Sequence, residues 1–185
     1  MQFYVSGFIS IDCGAPAGVN YTQYGVNYVS DANFINSGEK GTIAYEDITE
    51  PIERQLRRQR SFPEGKRNCY KISVTRGSKY LIRTVFLYGN YDGRNMPPEF
   101  DLLLGANMWD RVSIYYASID QSNEIIHVPS QDYVQICLVD TGNGTPFITA
   151  IEFRTLKNDT YVTPFGSLKL HNHMRYDLGS NRSYR

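Results

Sequence analysis

From residue 8 to residue 156 the chain is cut into short runs of strand length, each closed by turn-forming residues. Phe8-Ile9-Ser10-Ile11-Asp12-Cys13 alternates apolar and polar side chains and stops at Gly14. Tyr70, Ile72 and Val74 alternate with Lys71, Ser73 and Thr75 before Arg76-Gly77-Ser78. Tyr80 to Tyr88 is longer and more apolar, and ends at Gly89-Asn90-Tyr91-Asp92-Gly93. Phe100 to Leu104, Trp109 to Ile114, Glu124 to Val128, Tyr133 to Val139 and Phe147 to Leu156 follow. A period of two bounded by Gly, Pro, Asn, Asp or Ser is the mark of half-buried strands joined by tight turns. About eight such strands at this spacing predict an all-β fold, an antiparallel sandwich of the jelly-roll kind.

One segment departs from that texture. Pro51 to Gln59 sets Ile52 and Leu56 four apart behind a proline suited to a first helical turn, which predicts one or two short helical turns. Its arginines, with Arg60, invite an anionic partner. Acidic Glu46, Asp47, Glu50 and Glu53 lie beside them, so a solvated, self-compensating face is the reading preferred. From Gly166 onward the chain turns polar and reads as a linker.

The 185 residues suit one domain with a sizeable core. Lys+Arg and Asp+Glu balance at 19 each, which argues against a nucleic-acid binder, because phosphate contacts need a surplus of cations. No apolar run reaches the roughly 20 residues of a bilayer span, and the opening residues lack the pattern of a signal peptide. Three cysteines, Cys13, Cys69 and Cys137, allow one disulfide in three possible pairings. Sequons at Asn20, Asn143, Asn158 and Asn181 are candidate N-glycosylation sites and lean the chain towards the secretory route.

Catalytic chemistry finds little support. The three histidines are His127, inside a strand run, and His171 and His173, in the polar tail. No nucleophile elbow, reactive-cysteine signature or phosphate loop is present. His171-x-His173 lacks a third ligand nearby, so neither metal nor cofactor is expected. A glycosidase would need two facing carboxylates, for which Asp92, Glu99, Asp101 and Asp140 are the candidates. Binding is better supported. The 15 tyrosines suit half-buried strands and wet binding surfaces alike. Tyr88-Gly89-Asn90-Tyr91-Asp92-Gly93 puts two aromatics, an amide and a carboxylate on one loop, and Asp140 to Pro146 reads as a second polar loop. Aromatic faces with a few placed polar groups are what a sugar site requires.

The same residues carry a resemblance. Gly7-Phe8-Ile9-Ser10-Ile11-Asp12-Cys13-Gly14, Tyr28-Val29-Ser30-Asp31, Arg60 to Tyr70, Tyr80-Leu81-Ile82-Arg83, Phe86 to Gly93, Phe100 to Gly105, Trp109 and Val134 to Phe147 together resemble plant malectin-like domains. The resemblance runs from Gly7 to about Arg185. It implies the malectin and carbohydrate-binding-module type of sandwich, and an extracellular domain of a leucine-rich-repeat receptor-like kinase at the plasma membrane. It further implies the first of two tandem modules: residues 7–157 form the module and 158–185 lead towards a second one, with the membrane span and kinase outside this chain. In animal malectin, loop aromatics and an aspartate hold a glucose disaccharide. By resemblance those positions fall near Ala32 to Phe34, Phe62, Asn90 with Tyr91, and Asn143 or Gly144. One of the paired rings is therefore an amide and the acid is replaced, so another glycan, a cell-wall polymer or a peptide fits equally. Cys13, Cys69 and Cys137 all fall in matched motifs, and Arg60 to Arg67 and Trp109 are expected to be structural.

The expectation is thus a non-enzymatic module. Its ligand residues are Phe62, Tyr88, Asn90, Tyr91, Asp92 and Asn143. Its partner is a glycan or cell-wall oligosaccharide or, alternatively, a peptide or co-receptor ectodomain.

Overall fold

The computed structural model describes residues 8–44 and 52–170. Within them lie β1 (Phe8–Asp12), β2 (Asn20–Gln23), β3 (Val26–Ser30), β4 (Glu39–Thr42), β5 (Arg58–Ser61), β6 (Arg67–Ser73) and β7 (Lys79–Phe86). β8 (Glu99–Leu104), β9 (Asn107–Ser113), β10 (Gln121–His127), β11 (Tyr133–Asn143), β12 (Phe147–Ile148), β13 (Ala150–Leu156) and β14 (Ser167–Leu170) complete the set. A seven-stranded sheet runs β14-β10-β7-β13-β1-β3-β2, a four-stranded sheet β6-β11-β8-β9, and a small third sheet β12-β5-β4. Every pair is antiparallel except β1 with β3.

The alternation explains the layering. Phe100, Leu102 and Leu104 of β8 face inward, while Glu99, Asp101 and Leu103 are only half-buried. On the opposing sheet Ile82, Thr84 and Phe86 of β7 are all fully buried. Phe86 meets Phe100 edge-on across the sandwich at 5.6 Å between ring centres, and both pack on Phe147 of the small sheet. Trp109 is buried at the edge of this core, as expected. Cys69 and Cys137 are register partners on β6 and β11 and form the disulfide, which leaves Cys13 as a buried thiol.

All eight expected strands are present, the last split at Thr149. Three expectations need correction. Pro51 lies outside the described residues, and the helical segment beyond it is a single 3-10 turn, Arg54–Leu56, because Arg58 to Ser61 are drawn into strand pairing with β4 and β12. Asp140 to Asn143 belong to β11, which continues through a bulge to pair Asn143 with Glu99. The tail expected as a linker supplies β14, an edge strand on β10 whose side chains are at most half-buried. Backbone hydrogen bonding, not apolar content, makes it a strand. His171, His173 and Asn181 lie outside the described residues.

Candidate functional site

Three connections gather at one end of the sandwich: residues 87–98 between β7 and β8, residues 114–120 between β9 and β10, and the turn 144–146 between β11 and β12. They are tied together. Gly89 donates its N–H to the Ala117 carbonyl at 2.8 Å, and Ala44 donates to the Gly89 carbonyl at 2.7 Å. Gly89 is required at that crossing. Its φ is +50°, and a Cβ there would stand 2.5 Å from the Ile43 Cβ. Gly144 packs against Pro98 in the same manner.

The sequence-predicted residues divide sharply. Phe62 is 2% exposed and Tyr88 is not exposed at all, so neither offers a face to a ligand. Tyr88 continues the inward alternation of β7 and contacts Tyr91 and Phe147. Its hydroxyl donates to Asp92 Oδ1 and accepts the Met96 N–H at 3.3 Å. Burial, with that bond to Asp92, pushes the Tyr88 hydroxyl up to about 12. Asp92 also accepts the Arg94 N–H at 3.2 Å, and Asn90 Oδ1 accepts the Asn95 N–H at 2.9 Å. These polar groups therefore shape the loop from within. Tyr91 is half-buried with its ring 5.4 Å from that of Phe147. Asn143 is exposed at the rim, as are the sequon residues Asn20 and Asn158 elsewhere.

What the end of the sandwich does present was missed. Tyr115 is 84% exposed and Tyr116 68%; Ile119 on the same connection and Met96 on the 87–98 connection are exposed as well. Ile114 and Ala117 pack on the core, which throws the two tyrosines between them outward. The available signal was two consecutive tyrosines directly after a strand run.

The arginine-rich segment offers no uniform cationic face. Arg54 lies over the Tyr21 ring at 3.9 Å, Arg58 pairs with Asp12 at 3.6 Å, and Arg60 is buried against Asp31. The glycosidase candidates are engaged too: Ser113 donates to Glu99 at 2.7 Å, Arg111 to Asp101 at 2.8 Å, and the Gly142 N–H to Asp140 at 2.7 Å.

Asp12 gives a pH-dependent prediction. Its side chain is fully buried, Oδ2 accepts the Tyr21 hydroxyl at 2.9 Å, and Oδ1 has no hydrogen-bond partner among the described residues. Burial, only partly offset by Tyr21 and Arg58, pushes its carboxyl up to about 6 from 3.8. The folded state therefore holds this proton more tightly than the unfolded chain. The contribution of Asp12 to stability rises as pH falls through about 6 and saturates near 3.8, by about 3 kcal/mol in all. Thermal unfolding of wild type and Asp12→Asn between pH 7.5 and 4.5 should show the gap closing in favour of wild type on acidification. A pH-independent gap would contradict the assignment.

The family model of the malectin-like domain matches residues 11–185. A leucine-rich repeat receptor-like serine/threonine-protein kinase of Arabidopsis thaliana is 48% identical over 167 residues, covering 88% of this chain and 19% of that protein. The chain thus spans about a fifth of the length of the curated relatives it matches. The ANX1 ectodomain from Arabidopsis thaliana shares the fold at a TM-score of 0.67 and 15% identity, over 82% of this chain and 42% of that one. The plant receptor-like kinase FER does so at 0.69 and 17%, over 84% and 43%. With the sandwich in place and the family matched over nearly its whole length, the chain belongs to the malectin-like domain family, alongside the leucine-rich-repeat receptor-like kinases of plants.

Proposed function

We propose that this domain is a non-catalytic, extracellular ligand-binding module of a plasma-membrane receptor-like kinase, and that it takes a glycan on the loop end of the sandwich. The observation that carries the reading is the exposure of Tyr115 and Tyr116 on a loop pinned to the backbone at Gly89. Two large rings held in water cost solvation that a stacked sugar face would recover, and the exposed Asn143 amide can pair with hydroxyls. Kinase activity belongs to parts of the receptor beyond this chain. No helix among the described residues is long and apolar enough to cross a membrane.

Titration with plant cell-wall and N-glycan oligosaccharides is the test. Tyr115→Ala with Tyr116→Ala should weaken a saturable signal at least tenfold while leaving unfolding unchanged, since exposed aromatic anchors carry binding energy and not core packing. Binding that survives the double variant overturns the placement. The exposed Ile119 and Met96 favour a second reading, a peptide or co-receptor ectodomain on the same face. Capture of such a partner, undiminished by free oligosaccharide, would establish it.

A further inference from the structure

At the end of the sandwich opposite the loops, the two large sheets part along their edge and leave a cleft of about 410 Å³, within the size range of small-molecule sites. β9 forms one wall, the ends of β10 and β14 another, and the β10–β11 connection the floor. Asp110 braces this edge. It accepts from Asn123 of β10 at 2.5 Å and pairs with Lys169 of β14 at 2.8 Å, so both sheets are held beside Trp109.

The lining has a definite chemistry. No Asp, Glu, Lys or Arg contributes to it. The polar groups include Asn107, Gln131 and Gln135, whose amides can both donate and accept. Trp109 and Tyr133 supply aromatic surface. His127 is held by Ser167, with 2.7 Å between Nδ1 and Oγ, and burial lowers its pKa, so the cleft stays uncharged at neutral pH. The buried indole Nε1 of Trp109 has no hydrogen-bond partner among the described residues, which is unusual for a buried donor.

An ion entering such a cleft would lose hydration and find no Asp, Glu, Lys or Arg in the lining to pair with. A wholly apolar ligand would leave the amides without partners. An uncharged ring with an apolar face and a hydroxyl edge meets neither penalty. We infer that this cleft is a second binding site, independent of the loop end, for an uncharged pyranose unit. One ring face lies against Tyr133, and the hydroxyls reach Asn107, Gln131 and Gln135 above the buried Trp109.

Trp109 is the only tryptophan in the chain, so its emission reports this site and no other. The full chain is titrated with cellotetraose, mannotetraose and xylotetraose as neutral probes and with tetragalacturonate as the anionic one. A saturable change in tryptophan emission is expected from at least one neutral probe and none from the tetragalacturonate. The change should persist in the Tyr115→Ala/Tyr116→Ala variant and weaken at least tenfold in Gln131→Ala and Gln135→Ala, both surface changes that spare the core. Three outcomes overturn the proposal: no emission change from any neutral probe, an equal response to the anionic probe, or a response abolished by the tyrosine variant and untouched by the glutamine ones. Loss of loop-end binding alone leaves the emission response intact, so the two sites fail separately.

Discussion

Arg60→Ala is expected to lower the unfolding free energy by about 3–5 kcal/mol, the range for removing one partner of a buried ion pair. Arg60 is 6% exposed and Asp31 is not exposed at all. The guanidinium grips the carboxylate twice, Nε to Oδ2 at 2.5 Å and Nη2 to Oδ1 at 2.7 Å. Oδ2 also accepts the Gly14 N–H at 2.9 Å and the Tyr70 hydroxyl at 3.0 Å. Without Arg60 the carboxylate keeps two neutral donors but loses its counter-charge in a site closed to water. Asp31→Leu combined with Arg60→Met should recover only part of the loss, because the Gly14 and Tyr70 donors then have no acceptor. Urea unfolding at constant m-value measures this. A cost under 1 kcal/mol for Arg60→Ala would mean that water reaches the pair.

Removal of the Cys69–Cys137 disulfide is the second large effect. The cysteines are 68 residues apart in sequence, and closing a loop of that length in the unfolded chain is worth about 4 kcal/mol. Cys69→Ala with Cys137→Ala should therefore unfold at markedly lower urea, with a larger m-value because the uncrosslinked chain exposes more surface. Peptide mapping of oxidised protein should leave Cys13 as the alkylatable thiol after denaturation. Recovery of Cys13 in a disulfide peptide, or a loss below 1 kcal/mol, would contradict the pairing.

The long strands were legible where alternation and burial coincide, as in the RNCYKIS and EFDLLL segments of β6 and β8. The short ones were not. The EKGT of β4 and the SLKL of β14 bury little, so nothing in their side chains announces a strand. The RQRS of β5 is misleading for the opposite reason. It is polar yet mostly buried, which becomes intelligible only once Asp31, 29 residues earlier, is seen to neutralise Arg60. Three stretches that carry the family resemblance meet at that carboxylate, through Gly14, Asp31 and Arg60 with Tyr70. Those motifs thus record how the frame is held and say little about what it binds. The loop at Tyr88 to Gly93 was legible as a loop. The inward turn of Tyr88 was also available, since it shares the parity of Ile82, Thr84 and Phe86, all fully buried. The outward turn of Tyr115 and Tyr116 depends on the anchoring of Ile114 and Ala117, which no local pattern specifies.

The pairing of β1 with β13 sets a schedule for biosynthesis. Phe8 is opposite Arg154 and Asp12 opposite Ala150, so the first described strand waits for one about 140 residues later. At about 5–20 residues per second a ribosome needs roughly 7–30 s to supply the missing partner. Throughout that interval Ile9 and Ile11 belong to an unpaired edge, in a fold whose non-local pairing already makes closure slow. Until β13 arrives, the edge of β1 that it will cover stays open to pairing with other chains.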